Sequence, residues 1–259
     1  MENQEIKKLP FWDTVARSFK YVLKNRILLK GILPLAAALV VLQIFIGLPF
    51  LCSIDTGACT NDWRQTVTIL SVALGAVGVI INYCRAIVCK AEVDFISLRF
   101  WKQTGLYFVA SLFLSLLVAV PVIICLTLSA FIFDPQTSIN LLTSISLLAS
   151  VASAIVFAPL FLVFPAIAVE DYQMIRWSKL FAMARGNHNA IFWAQFIIMI
   201  PYWLIAKMWS EIYGFIASDN YVIGLIFVAG GLLLGMLDAC FKGAFFAHIY
   251  QFFKFYDKE

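Results

Sequence analysis

The sequence predicts an all-α polytopic membrane bundle. It reads as a single membrane domain, residues 1–259, with six transmembrane helices and cytoplasmic amphipathic surface helices. Three observations predict it. The chain is 63% hydrophobic and 13% charged, with a mean hydropathy of +0.91, whereas a soluble domain is roughly 45–50% apolar and about 25% charged. Six apolar stretches each supply the about 20 helical residues that cross a ~30 Å hydrocarbon core. The basic residues alternate between the segments that join those stretches.

The chain begins MENQEIKKLPFW, with two Glu and no immediate apolar run, so neither a cleaved signal peptide nor a transit peptide is expected. The segment DTVARSFKYVLKNR then places Val15, Phe19 and Val22 on one helical face and Arg17, Lys20 and Lys24 elsewhere. The first span is expected near 31–51, with Gln43 near its middle. The loop LCSIDTGACTNDW follows. It holds Cys52 and Cys59 around the turn sequence Asp55-Thr56-Gly57. The pair is a candidate disulfide on the oxidising side, provided the Cα atoms approach within ~4.4–6.8 Å. With no Cys-x-x-Cys spacing, a structural bridge is expected rather than an exchange site. Cys84, Cys89, Cys125 and Cys240 fall in or at the ends of spans, where Cys is usually a small packing residue.

The second span is placed near 66–88, with Asn82 and Arg85 toward its inner end. FISLRFWKQTG reads as a second surface helix, with Ile96, Phe100 and Trp101 opposed by Arg99 and Lys102. The third span is expected near 106–131 with Pro121 inside it, and the fourth near 141–168, where Pro159 and Pro165 predict a bend. YQMIRWSKLFAMARGN reads as a third surface helix. Met174, Trp177, Phe181 and Ala184 share a face, Arg176 and Lys179 point away, and Gly186 suits a helix stop. Basic amphipathic helices with aromatic anchors lie in the headgroup plane. The fifth span, near 191–208, carries Gln195, Pro201 and Lys207, and the sixth is placed near 222–248.

Of the 19 Lys and Arg, 17 fall on one set of alternate segments; only Arg64 and Lys207 fall on the other. The positive-inside rule makes the rich side cytoplasmic, so both termini are expected inside. Anionic headgroups on that face are the expected lipid partners, at about 1 kcal/mol per basic residue. They account for the basic face, so no nucleic-acid partner is expected. The chain has no Asn-x-Ser/Thr sequon, which fits a bacterial source.

The stretch LDACFKGA brings Asp238 and Lys242 onto one face of the sixth span. Asp238 lies roughly 24 Å into the core and Lys242 near the inner boundary, where it can snorkel. The expected role is a neutralised pair at a helix end. The other readings are a proton or ion site, or an anchor for Arg85. Gly231, Gly235, Ala239, Gly243 and Ala247 recur at every fourth position. Such a ridge lets another helix approach closely; it faces inward or forms a homodimer seam. If it is a packing ridge, Gly235→Leu disrupts it.

No enzyme signature has usable context: Gly-x-Ser-x-Gly, phosphate-binding glycine loops and His-Glu-x-x-His are all absent. No enzymatic activity, metal or cofactor is expected. His188 and His248 are expected to be interfacial polar groups, Glu170-Asp171 to cap the surface helix that follows, and Glu92 and Asp94 to be solvated charges.

The stretch LFLVFPAIAVEDYQMIRWSKLFAMARGNHNAIFWAQFIIMIP has an apolar span ending near Pro165, an acidic turn at Val169-Glu170-Asp171, a basic helix with Ser178-Lys179-Leu180, and a break at Gly186-Asn187. It resembles the YciC-like family of bacterial six-span inner-membrane proteins. It is also similar to the membrane domain that accompanies some glycerophosphodiester phosphodiesterases. The segment ARSFKYVLKNRILLKGILPL looks like that family's first surface helix and span. The resemblance implies a multi-pass inner-membrane protein. It carries over no settled activity, and the soluble phosphodiesterase module is not expected here. The leading expectation is a non-enzymatic protein that organises or assists envelope lipids or protein partners, including a second copy of itself. The alternative is a transporter or lipid-translocating protein using Asp238 and Arg85.

Overall fold

The computed structural model describes residues 8–46, 63–132, 139–216 and 221–255. Among these residues the chain is an all-α bundle with no strand. The helices are α1 (Phe11–Lys24), α2 (Arg26–Ile46), α3 (Trp63–Cys89), α4 (Leu98–Ile132), α5 (Ile139–Phe157), α6 (Val163–Ala168), α7 (Trp177–Met183), α8 (His188–Ile216) and α9 (Tyr221–Phe255). Five stretches are long and apolar enough to cross a membrane: Ile69–Cys89, Leu98–Cys125, Ser146–Ala168, His188–Ile212 and Ile226–Lys254. The first expected span is only partly described. Its apolar part here is the shorter run Ile32–Leu42 within α2, and its far end lies outside the described residues.

Proline acts on these helices unevenly. Pro121 and Pro201 sit inside α4 and α8, which run through them. Where the bend is expected, the fourth span has an interruption of its α-helix. It is a 3-10 segment, Ala158–Leu162, with Pro159 in its first turn, between α5 and α6.

The core gathers at one end of the bundle. It takes the last turns of α3, the first half of α4, residues 158–168, the start of α8 and the second half of α9. Val79, Ile81, Leu162, Leu180, Ile191, Phe245 and Ile249 are buried there. The remaining halves of α4 and α8 expose Leu116, Val120, Ile123, Leu128, Trp203, Leu204 and Met208. A hydrocarbon solvent imposes no penalty on such a surface, and packing there needs no hydrophobic driving force.

α1 is a surface helix as the pattern predicts. Val15 and Val22 are buried, and Phe19 packs at a tilt against Phe241 of α9 with ring centroids 4.7 Å apart. Its buried hydroxyls, Thr14 and Ser18, donate to their own helix at Pro10 and Thr14 carbonyls, so their burial leaves no donor unpaired. The Leu9 N–H donates to Asn187 Oδ1 at 2.7 Å, tying the entry of α1 to the start of α8.

The other two surface helices differ from expectation. FISLRFWKQTG forms no separate helix: residues 95–97 bend, and from Leu98 the chain is already α4. Phe100 is buried, whereas Ile96 is 89% exposed. The cause is a local cap. Asp94 accepts from the Ile96 and Ser97 N–H groups at 3.0 Å, and Ser97 Oγ accepts from Phe100 N–H at 3.1 Å, so the helix starts there and continues. In the third, residues 172–174 are 3-10, Arg176 is extended, and the α-helix is only Trp177–Met183. Leu180 and Ala184 are its buried anchors; Met174 and Phe181 are half-buried and Trp177 is 48% exposed. Arg176 and Lys179 are exposed, as the pattern predicts. Gly186 ends the segment with a φ of 76°, the left-handed conformation that glycine adopts without strain.

Candidate functional site

The small residues of α9 divide into two groups. Gly243 meets α3 directly. A Cβ there would lie 2.7 Å from Tyr83 Cβ and 2.9 Å from the Ile80 carbonyl oxygen. Cys84 Sγ donates to the Gly243 carbonyl at 3.3 Å, a contact that needs this close approach. Ala239 and Ala247 are buried in the same region. Gly235 is different. A Cβ there would meet nothing within 4 Å, and at Gly231 only Trp209 Nε1 at 3.8 Å. The upper part of the expected ridge is therefore not a helix contact within the chain, and Gly235→Leu would fill space rather than displace a helix.

That space is a cleft of about 650 Å³ between α3, α8 and α9. Ile69, Val72, Ala73 and Ala76 form the α3 wall; Tyr202, Trp209 and Ser210 form the α8 wall. The α9 wall runs from Phe227 through Val228, Gly231, Leu232, Gly235 and Met236 to Asp238. It arises because two glycines a turn apart present no side chain, while Trp209 spans from α8 to α9 and holds the helices at that separation. The Trp209 indole N–H donates to the Phe227 carbonyl at 3.0 Å, its ring packs 4.8 Å from Phe227, and it lies directly on Gly230. The volume and the mostly apolar lining are those of a ligand site.

Asp238 marks one end of the cleft. The residue is 7% exposed. Its Oδ2 pairs with Lys242 Nζ at 2.5 Å, while its buried Oδ1 has no hydrogen-bond partner. Lys242 Nζ also lies 5.9 Å from the centroid of the Tyr202 ring, a cation–π contact across to α8. The expected i, i+4 pair is present, and its Asp238 member also lines the cleft.

Arg85 does not join it. α3 and α9 run parallel in a fixed register: Gly75 lies against Met236, Gly243 against Ile80 and Tyr83, and Gln251 Nε2 donates to the Ile87 carbonyl at 2.8 Å. Asp238 is thus level with about residue 77, so Arg85 lies roughly 12 Å further along the bundle. Arg85 instead faces Asp94, with NH1 4.0 Å from Oδ2. An Asp238–Arg85 pair is excluded by this register.

The polar groups at the packed end form a second cluster. Asn82 on α3 accepts from the Asp94 N–H at 2.8 Å and donates to the Asp94 carbonyl at 3.0 Å. Asp94 is partly exposed beside Arg85, as expected of a solvated charge, but it is also held by local hydrogen bonds. The Ser97 hydroxyl, then the Ser97 and Ile96 N–H groups, pull its carboxyl down to about 2. Glu170 makes a two-pronged contact with Arg99, Nε to Oε1 at 2.7 Å and NH2 to Oε2 at 2.6 Å, and also accepts from Gln103 at 3.1 Å. The Arg99 hydrogen bond is the foremost cause that holds its carboxyl below the usual range. Asp171 accepts from the Tyr250 hydroxyl at 2.7 Å and pairs with Lys254. Burial pushes its carboxyl up, but these two bonds outweigh that and the net shift is downward.

Glu170 and Asp171 therefore fasten α6 to α4 and α9 instead of capping α7. The turn explains why. Asp171 N–H bonds to the Ala166 carbonyl at 2.8 Å and Glu170 N–H to Ile167 at 3.1 Å, a Schellman ending with Glu170 at a φ of 60°. That left-handed position aims Glu170 back at Arg99.

His188 begins α8 and packs on Phe181, and His248 packs on Tyr21. Among the described residues no three His, Cys, Asp or Glu gather as a metal-holding group. Cys52 and Cys59 lie outside the described residues. Sequence reasoning missed the cleft's α3 and α8 walls and Tyr202. It also missed the role of Asp94, which the Asp-x-x-Ser spacing ahead of α4 signals. No family model, no curated protein and no solved structure matches the chain.

Proposed function

We propose that the chain is a non-enzymatic, integral inner-membrane protein of a YciC-like type that holds a lipid-like molecule between α3, α8 and α9 and so organises or assists envelope lipids. The observation that carries this reading is the 650 Å³ apolar cleft that ends at the buried Asp238, which pairs with the partly exposed Lys242. The topology proposed with it has six crossings and both termini in the cytoplasm. In support, α2 spans 21 residues, roughly 31 Å of helix, and the 17 to 2 partition of basic residues orients the bundle. The exposed α4 and α8 faces then contact lipid or another membrane protein, and the basic rim meets anionic headgroups.

Native mass spectrometry of the protein extracted in mild detergent tests this. A lipid-like molecule retained at fixed stoichiometry, and lost in Gly235→Trp, is the expected result. A protein that keeps the same adduct in Gly235→Trp overturns the assignment to this cleft. The buried, half-paired Asp238 also favours a second reading, translocation through the cleft. Water-soluble thiol reagents that label cysteines placed at 231, 235 and 238 would favour that route; protection of all three favours a lipid-filled cleft.

A further inference from the structure

We infer that a groove between α4 and the surface segment 172–180 holds an acyl chain of an anionic phospholipid from the cytoplasmic leaflet, with its phosphate among Lys102, Arg176 and Lys179. The groove is separate from the cleft between α3, α8 and α9, and takes only the proposed membrane orientation from that reading. Its shape follows from how the chain turns. Glu170 is fastened to Arg99 in the first turn of α4, and the Trp177 and Phe113 rings meet with centroids 5.8 Å apart. Residues 170–177 therefore run along the first four turns of α4. Between those two contacts, residues 172–174 are 3-10 and Arg176 is extended, so no continuous helix covers α4 there. A groove of about 320 Å³ remains. Leu114, Leu160, Ile167 and Leu180 are its buried floor, and Leu106, Val109 and Tyr172 are exposed along its rim. From Leu106 to Phe113 it follows α4 for about 10 Å toward the bilayer centre. The lining side chains are apolar except for the Tyr172 hydroxyl and the Trp177 indole N–H. Such a lining suits a hydrocarbon chain, and these two aromatic residues have the amphipathic character of headgroup-level anchors.

Charge at the mouth decides the head. Lys102 shares the α4 face of Leu106, Val109 and Phe113, one turn nearer the cytoplasmic end. Helical side chains lean toward the N-terminus, which here is toward the headgroups. Arg176 lies between Ile175 and Trp177, which both line the groove, and Lys179 precedes Leu180 in its floor. All three basic residues are exposed, and among the described residues none of their side chains makes a hydrogen bond or salt bridge. The neighbouring acids are already engaged. Glu170 holds Arg99, and Asp171 holds Tyr250 and Lys254 while Lys179 acts on it only from a distance. Asp94 faces Arg85. Around the groove, Arg99, Lys102, Arg176, Lys179 and Lys254 thus outnumber Glu170 and Asp171, and the excess is positive. A phosphate head with net negative charge offsets that excess and offers oxygens to the Arg176 fork. A zwitterionic head brings its own cation and offsets nothing.

Photo-crosslinking of the full-length protein in phosphatidylcholine nanodiscs tests this with two trace probes. Both carry the same acyl chain with a mid-chain diazirine, one on phosphatidylglycerol and one on phosphatidylcholine. The phosphatidylglycerol probe is expected to label peptides from 98–114 and 172–183 at least about fivefold better, the ratio that one basic residue near an anionic lipid supplies. The triple variant Lys102→Gln, Arg176→Gln and Lys179→Gln changes only exposed side chains and should bring the two probes level. Lys20→Gln with Lys24→Gln, exposed residues of α1 away from the groove, should leave the preference intact. Gly235→Trp should also leave it intact, so a failure here does not touch the cleft between α3, α8 and α9. Equal labelling by the two probes in the unaltered protein overturns the anionic class. A preference that survives the triple variant overturns the role of these three residues. One that falls as far in the α1 variant shows only the general field of the basic face and overturns the site. No labelling of either peptide by either probe overturns the groove as a place for lipid.

Discussion

Adding one methyl group to α9 should have opposite consequences at two glycines eight residues apart. At Gly243 an alanine Cβ would sit 2.7 Å from Tyr83 Cβ, 2.9 Å from the Ile80 oxygen and 3.0 Å from Ile80 Cα. Ordinary carbon contacts lie at about 3.5–4.0 Å. Two of the three neighbours are backbone atoms, so no rotamer change clears them. α3 and α9 must separate locally by about 0.8 Å to restore a ~3.5 Å carbon contact. That separation also strains the Cys84 bond to the Gly243 carbonyl. Overpacking of this kind costs about 1–3 kcal/mol. At Gly235 the same methyl meets nothing within 4 Å. There, only the helix preference for alanine over glycine remains, a gain of about 0.5–1 kcal/mol. That preference is common to both sites, so the difference between the two variants isolates the overpacking, about 1–3 kcal/mol. Reversible unfolding of both variants in mixed detergent measures it, with Gly243→Ala the less stable. If Gly243→Ala proves as stable as Gly235→Ala, the α3–α9 contact is not the close one described.

Three further outcomes are expected. Glu170→Ala and Glu170→Gly both release Arg99, but only glycine is at ease at a φ of 60°. Glu170→Gly should therefore be the more stable of the two by about 1 kcal/mol, and equal melting would refute strain at that turn. Asp94, Glu170 and Asp171 have depressed carboxyl values, so their stabilisation is complete above the unfolded values near pH 4 and is lost as pH falls, for Asp94 through about 2. Asp94→Asn should flatten the acid limb between about pH 4 and 2, and an unchanged slope would remove Asp94 as its source. Asn187→Ala strands the buried Leu9 N–H, so hydrogen exchange in α1 should accelerate at a cost of about 1–3 kcal/mol; unaltered protection would mean α1 is held by its apolar face alone.

Much of the architecture was legible because it depends on quantities that run along the chain. Hydrophobic thickness counts residues, so α3, α4, α8 and α9 stand out by length and apolarity alone. The Val15, Phe19 and Val22 stripe finds α1 because a helix repeats every 3.6 residues. Pro159 marks the break in the fourth span because it cannot donate its backbone hydrogen bond. Gly186 marks a stop because glycine alone enters left-handed backbone freely.

The candidate site was legible only in part, because its parts belong to different helices. The Asp238–Lys242 pair follows from i, i+4 spacing on one helix. Its setting does not. Gly235 and Gly243 have the same spacing and chemistry, yet α3 packs on one and leaves the other over a cleft. The difference comes from Trp209, which wedges α8 against Gly230 from a distant part of the chain. Arg85 is similar. Composition offers Asp238 as its partner, but the parallel register of α3 and α9 separates them, and the chain turn after α3 delivers Asp94 instead. Local spacing sets which groups share a helix face. Which faces meet, and where they fail to close, depends on the relative height and rotation of helices, and those are set by packing across the whole bundle.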